Sequence, residues 1–249
     1  MEPLSNIELY YFPSIEDSTL PQVLEGEDVH HITNVMKHRV GSTIHITDGR
    51  GCLFEAILCK ILNHSRIEVT ADVKSRANPA APSIVFYLPI LKSTDRLEFA
   101  LEKLVELGYT NINYYRPIRS ISKSKLLNEN RLTKIAVSAM KQSLNLWLPR
   151  LKFDYNLKNI SLNDSGENVI FESFGSTPLD RFMGDMMTNI QNIVEIRLFF
   201  GPEGGLDSNE IDKIQGARII RLTENRLRSE TAAVYVGSVL RSYILKGVF

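Results

Sequence analysis

The sequence predicts a two-part α/β chain, with a small β-barrel-like module followed by a largely parallel sheet interleaved with helices. Three observations predict it. From Ser83 onward, short apolar runs alternate with amphipathic stretches of helical length, the pattern of a parallel α/β sheet. The first 75 residues are instead β-rich and broken by tight turns. Between the two lies Asn78-Pro79-Ala80-Ala81-Pro82, a proline-rich linker. The modules are accordingly placed at residues 1–75 and 83–249, and 249 residues suit one large or two ordinary domains.

In the first module, Glu8–Phe12, Thr43–Thr47, Leu53–Cys59 and Arg66–Thr70 read as strands. Asp48-Gly49 between two of them is a hairpin signal, and a short helix is expected over Asp28–Lys37. In the second module Ile84–Ile90 reads as an apolar strand. Asp95–Leu107 reads as a helix with Leu97, Leu101, Leu104 and Val105 on one face and Gly108 as its stop. Asn111–Tyr115 is the next strand, and a helix runs from Glu129 to about Leu146. Val169–Phe174, Glu195–Phe200 and Arg218–Leu222 are further strands. Asp207–Gln215 is helical, and Arg228–Leu245 forms the closing helix.

Composition narrows the chemistry. No segment approaches the length of a membrane span, and the first residues lack a basic region followed by an apolar stretch, so a cytoplasmic protein is expected. Cys52 and Cys59 are too few for a disulfide framework and wrongly spaced for a zinc pair. All five histidines (His30, His31, His38, His45 and His64) and both cysteines lie in the first 64 residues. A Ser-His-Asp triad, a cysteine nucleophile or a His/Cys metal site cannot be built within the later part alone. Chemistry there must rest on carboxylates, arginines, hydroxyls, backbone groups and a bound cofactor. The net charge of zero hides an uneven distribution: residues 76–150 carry twelve Lys/Arg against five Asp/Glu, whereas residues 1–75 carry six against eleven. The stretch from Arg116 to Lys152 is the most basic. Such a run serves either as a solvated face or as a phosphate-contacting surface.

The most informative segment is Leu198-Phe199-Phe200-Gly201-Pro202-Glu203-Gly204-Gly205-Leu206-Asp207-Ser208-Asn209-Glu210. It reads as strand, tight glycine turn and helix start, with Asp207 and Glu210 spaced as a capping box. Ligands of open α/β sheets sit at such turns. The turn has neither a G-x-G-x-x-G pattern nor a closing Lys-Ser/Thr, and Glu203 disfavours a phosphate cradle. Taken alone, the turn serves equally as a plain connection. A second segment, Leu222-Thr223-Glu224-Asn225-Arg226-Leu227-Arg228-Ser229-Glu230-Thr231-Ala232-Ala233, follows a predicted strand and opens the last helix. In isolation Glu230 complements the helix dipole there, and Arg228 pairs with it.

Together, GPEGG-L-x-x-x-E (Gly201–Glu210) and L-R-S-E-T-A (Leu227–Ala232) resemble the small-subunit (16S) ribosomal RNA uridine-N3 methyltransferases of the knotted SPOUT superclass. The resemblance extends to Lys103-x-x-Glu106-Leu107-Gly108, to Arg119-Ser120, to Gln142-Ser143 with Pro149 beyond, and to Val35-Met36-Lys37 with Gly41. It thus covers essentially the whole chain. Departures are Thr223 where the family has Gly, Asn225-Arg226 where it has Arg-Ile, Asn145 where it has Arg, and Lys37 where it has Arg.

The resemblance implies a PUA-like RNA-binding barrel, an α/β domain with a deep trefoil knot, a homodimer, and S-adenosylmethionine as cofactor with no metal. Carried over by position, the cofactor-binding residues are Phe171, Glu172, Ser173, Phe200, Gly201, Pro202, Glu203, Gly204, Gly205, Leu222, Asn225, Leu227 and Arg228. Arg228 and Glu230 are the catalytic candidates. Arg228 would stabilise negative charge on the uracil oxygens, and Glu230 would accept the N3 proton or orient Arg228. RNA contact is assigned to Lys37, Arg39 and Arg66 in the first module and to Arg119, Lys123 and Lys125 in the basic stretch. Uracil N3 lies on the pairing edge, so the target must be unpaired when modified. The alternatives are a related methyltransferase with another RNA target, and a non-catalytic RNA-binding or ribosome-assembly protein.

Overall fold

The structure, a computed structural model, describes residues 7–79, 81–119, 127–155, 157 and 166–245. The chain divides into two compact units, residues 1–79 with 137–148 and residues 80–136 with 149–249.

The first unit is a mixed five-stranded sheet. Its strands are β1 (Leu9–Tyr11), β2 (Ser18–Glu25), β3 (Thr43–Thr47), β4 (Cys52–Asn63) and β5 (Arg66–Arg76), in the order β1-β3-β4-β5-β2. β1 runs parallel to β3, and the other pairs are antiparallel. Alternation sets the faces: Phe54, Ala56 and Leu58 of β4 point into the core with Ile67, Val69 and Ala71 of β5, while Glu55 and Ile57 point out. The β3–β4 hairpin turns where Asp-Gly predicts it, with the Asp48 carboxylate accepting from the amides of Arg50 and Cys52. The expected helix over Asp28–Lys37 is shorter: α1 (Glu27–His30) widens into a π-helical turn (His31–Val35), and the chain leaves it at Lys37 with φ 54°. Residues 137–148 complete this unit. Leu146 O accepts from Gly51 N and Thr47 Oγ1, and Lys141 Nζ donates to Asp28 at 2.5 Å.

The second unit is an all-parallel seven-stranded sheet. It holds β6 (Ser83–Pro89), β7 (Asn111–Tyr115), β8 (Arg150–Tyr155), β9 (Gly166–Phe171), β10 (Thr177–Pro178), β11 (Glu195–Phe200) and β12 (Arg218–Arg221). The spatial order is β10-β12-β9-β11-β6-β7-β8. Its helices are α2 (Thr94–Glu106), the first part of α3 (Glu129–Gln142, whose residues from 137 on belong to the first unit), α4 (Leu179–Asn189), α5 (Ser208–Ile211) and α6 (Ser229–Leu245). Central strands buried on both faces read as the near-continuous apolar runs expected of a parallel sheet, and Ile196, Leu198, Phe199 and Phe200 are all buried.

Helix ends follow from hydrogen bonding. α2 stops at Gly108 as expected, with Tyr109 N donating to Leu104 O and Gly108 N to Val105 O. α3 ends at Gln142 rather than near Leu146. There Asn145 N donates to Met140 O and Leu144 N to Lys141 O, the same C-terminal motif built on a left-handed leucine, φ 56°. β2, β8 and α4 are elements that the sequence pattern did not predict.

Candidate active site

Pairing register brings three strand ends level. Phe171, at the end of β9, lies opposite Phe200 of β11 and Ile220 of β12. The loops that follow therefore leave the sheet side by side at its carboxyl edge, where open α/β sheets bind ligands. They wall a cleft of about 570 Å³. Its floor is aromatic: the Phe200 ring stacks on Phe171 at 4.9 Å, and Phe86 packs behind it at 5.9 Å. Tyr115 Oη donates to Phe200 O at 2.7 Å, tying the β7 and β11 ends together.

All the residues carried over as cofactor-binding line this cleft: Phe171, Glu172 and Ser173; Phe200, Gly201, Pro202, Glu203, Gly204 and Gly205; Leu222, Asn225, Leu227 and Arg228. Arg119, expected at RNA, lines it too. Its guanidinium reaches Asp207 Oδ2 at 3.2 Å across the far side of the glycine turn. Arg226, part of a departure from the family pattern, adds a further cation to the same wall.

The glycine turn is shaped by Glu172. Its Oε1 accepts from Leu206 N at 2.6 Å, so the carboxylate sits inside the turn. A Cβ on Gly201 would stand 2.7 Å from that oxygen, and one on Gly205, which has φ 73°, would stand 3.2 Å from both oxygens. Burial pushes the Glu172 carboxyl above its ordinary value, against the pull of the Leu206 amide and of Arg119 and Arg226. Beyond the turn, the capping box at α5 is present as expected: Asn209 N donates to Asp207 Oδ1, and Asp207 N donates to Glu210 Oε2. The buried Glu210 does more than cap. Its Oε1 accepts from Ile118 N at 2.9 Å, strapping the segment after β7 to the glycine turn.

Glu230 stands apart from the cleft lining. Its side chain is 8% exposed, and both oxygens accept from Arg96, Nε and Nη2, each at 2.7 Å. Arg96 Nη1 also donates to Glu203 in the glycine turn. Hydrogen bonding by Arg96 holds the Glu203 carboxyl below its ordinary value. The carboxylates in turn hold Arg96 firmly charged, Glu230 contributing most. Arg228 is exposed at the cleft and lies in the field of Glu203.

Sequence reasoning missed Arg96 and the strap made by Glu210. A signal existed for the first. Arg96 occupies the opening turn of α2, where the helix dipole disfavours a cation, so a compensating carboxylate was to be expected. Lys37 and Arg39 lie in the first unit, both exposed around the left-handed turn that ends the π-helix. Arg66 opens β5 of that unit and pairs with Glu25 at 3.5 Å. Lys123 and Lys125 lie outside the described residues. Among the described residues, no group of three or more His, Cys, Asp or Glu is arranged to hold a metal ion, and no helix is long and apolar enough to cross a membrane.

The chain is similar to proteins of known kind. A Bacillus subtilis protein called ribosomal RNA small subunit methyltransferase E is 28% identical over 238 residues, covering 90% of this chain and 91% of its own. A probable rRNA-methyltransferase from Porphyromonas gingivalis is 25% identical, with a TM-score of 0.79 over 95% of this chain and 98% of that one. A ribosomal RNA small subunit methyltransferase E from Neisseria gonorrhoeae, solved bound to S-adenosyl methionine, shares the fold with a TM-score of 0.80 at 24% identity, over 95% of this chain and 98% of that one. Residues 24–72 match the family described as RNA methyltransferase PUA domain. Residues 78–241 match the family described as RNA methyltransferase domain, and because that match spans most of the sequence, the chain belongs to the RNA methyltransferase family.

Proposed function

We propose that this protein transfers a methyl group from S-adenosylmethionine to N3 of a uridine in small-subunit ribosomal RNA. The observation that carries the reading is the cleft at the level ends of β9, β11 and β12. Relatives named as small-subunit ribosomal RNA methyltransferases support the substrate class.

The residues present fit the cofactor. A cleft of about 570 Å³ suits a small molecule, for which roughly 300–1,000 Å³ is usual. Phe171, Leu222, Leu227 and Ala232 offer apolar surface to the adenosyl group, and the Gly201–Gly205 turn offers backbone without side-chain bulk. Glu172 and Glu203 complement positive groups, while Asn225 and the arginines complement a carboxylate. When bound, S-adenosylmethionine supplies a methyl group on a positively charged sulfur. Arg228, exposed at the cleft, would stabilise the negative charge that develops on the uracil oxygens as the N3 proton passes to solvent water. For Glu230, the bidentate bond to Arg96 supports a positioning role over that of a base.

On the RNA side, Arg119 at the cleft supplies phosphate attraction together with Lys123 and Lys125 of the basic stretch, and Lys37, Arg39 and Arg66 do so from the first module. Assignment of the first module to residues 1–75 and of the catalytic domain to 83–249, the trefoil knot, a homodimeric state and a cytoplasmic place of work belong to the same proposal. Calorimetric titration with S-adenosylmethionine tests its first step. Saturable one-site binding, followed by methyl transfer to small-subunit ribosomal RNA, is expected. Absence of binding would overturn the cofactor assignment and with it the reaction.

A further inference from the structure

Arg96 is the one guanidinium on α2 that reaches two carboxylates from remote parts of the chain. Glu230 lies in the opening turn of α6, directly after the Leu222–Arg228 loop, and Glu203 lies in the middle of the glycine turn. A single side chain thus joins α2 to two of the three loops that wall the cleft, while not lining the cleft itself. The two arms differ in kind. The Glu230 arm is a two-bond fork between side chains 19% and 8% exposed, whereas Glu203 is 61% exposed and takes one bond. Parallel bidentate bonds fix orientation as well as distance. The Glu230 fork is therefore the anchor, and the Glu203 bond sets where the glycine turn rests.

We propose that Arg96 is a positioning residue of the cleft, fixing the glycine turn relative to the start of α6 through simultaneous bonds to Glu203 and Glu230. For its functional consequence the proposal rests on the cofactor reading above. Two of the loops expected to hold S-adenosylmethionine then share one hub, and loosening it at Arg96 lowers affinity without altering a residue that lines the cleft. Lysine cannot replace it, because an ammonium lacks the planar fork that serves two carboxylates at once.

The experiment uses the full chain with Arg96→Lys, Glu203→Gln and the double variant. Arg96→Ala is avoided because it strands the buried Glu230 charge. In the ligand-free protein, both single variants are expected to speed amide hydrogen exchange at Gly204, Gly205 and Leu206, with the amides of β9 and β11 unchanged. Calorimetry is expected to show S-adenosylmethionine affinity falling about tenfold for each single variant, the scale of one lost charge-assisted hydrogen bond. The double variant should bind no worse than Arg96→Lys alone, because both changes remove the same arm. Unchanged exchange at the turn in both variants, or affinity losses that simply add, overturns the proposal. If the unaltered protein fails to bind S-adenosylmethionine, the cofactor reading falls, and the exchange comparison alone still decides the role of Arg96.

Discussion

Gly201 and Gly204 lie three positions apart in the same turn, yet the structure predicts different responses to alanine. At Gly201 the added Cβ would lie 2.7 Å from Glu172 Oε1, 3.1 Å from Leu206 N and 3.3 Å from the Gly205 carbonyl carbon. The oxygen cannot retreat without stretching its 2.6 Å bond from Leu206 N. Loss of that charge-assisted bond costs roughly 1.5–3 kcal/mol. For a domain of this size it corresponds to a fall in melting temperature of about 3–12 °C. At Gly204 the nearest atom to an added Cβ is Arg119 Cβ at 3.8 Å, and the residue does not occupy the left-handed region. Gly204→Ala is therefore expected to change stability by less than about 0.5 kcal/mol. Thermal unfolding of the two variants, with Glu172→Ala and the Gly201→Ala/Glu172→Ala pair, supplies the measurement. Removing the carboxylate should erase most of the Gly201→Ala penalty, a coupling that a double-mutant cycle reads directly. Equal destabilisation by Gly201→Ala and Gly204→Ala, or a penalty at Gly201 that persists without Glu172, would refute the reasoning.

Tyr109→Phe removes the buried bond from Tyr109 Oη to Gly237 O, 2.7 Å long, that pins α6 beside α2; denaturant unfolding should show a loss of about 1–2 kcal/mol. The Glu203 carboxyl is held low by Arg96, with Arg228 and Arg226 adding to the effect. A depressed folded value means that the Arg96–Glu203 bond stabilises fully above the ordinary carboxylate range and fades as pH falls through the depressed value. Acid titration of turn stability should accordingly be flatter in Glu203→Gln than in the unaltered protein. Glu172 has the opposite sign, since burial raises its carboxyl; stability conferred by its protonated form is present below the ordinary carboxylate range and lost as pH rises through the raised value, and Glu172→Gln should gain on the unaltered protein over that rise. Replacing Arg119, Lys123 and Lys125 together with alanine should weaken RNA binding and lower the slope of log affinity against log salt by about 2, the value for three phosphate contacts on a single strand. An unaltered slope removes these residues from the RNA surface.

Legibility in the sequence varied with how local the cause was. The unit from Leu198 to Glu210 was readable because strand, glycine turn and capping box are each written in neighbouring residues, and the cap formed as expected. β2 escaped notice because it is a largely exposed strand carrying Pro21, with no alternation to mark it. In β8, Arg150-Leu151-Lys152-Phe153 does alternate, but its cations read as the tail of a charge run. α4 is interrupted by Gly184 and ends in Thr188-Asn189, poor helix formers that weaken its pattern. The overshoot of α3 has a plain cause: the left-handed closing residue is Leu144, and leucine gives no warning of that backbone. Grouping of residues 137–148 with the first unit depends on contacts such as Thr47 with Leu146, 99 residues apart, which no local pattern encodes. The cleft residues were legible through family resemblance, whereas the Arg96 hub joins positions 134 residues apart and emerges only when the chain is folded.

In the proposed reaction the cleft walled by Phe171–Phe174, Phe200–Leu206 and Leu222–Ser229 binds S-adenosylmethionine and delivers its methyl group to uridine N3. It is tested most directly by incubating the purified protein with deuterium-labelled S-adenosylmethionine and unmethylated small-subunit ribosomal RNA, then identifying the labelled nucleoside by mass spectrometry. Label is expected in 3-methyluridine at a single position, abolished by Arg228→Ala. Label in any other nucleoside, or none despite bound cofactor, would contradict it.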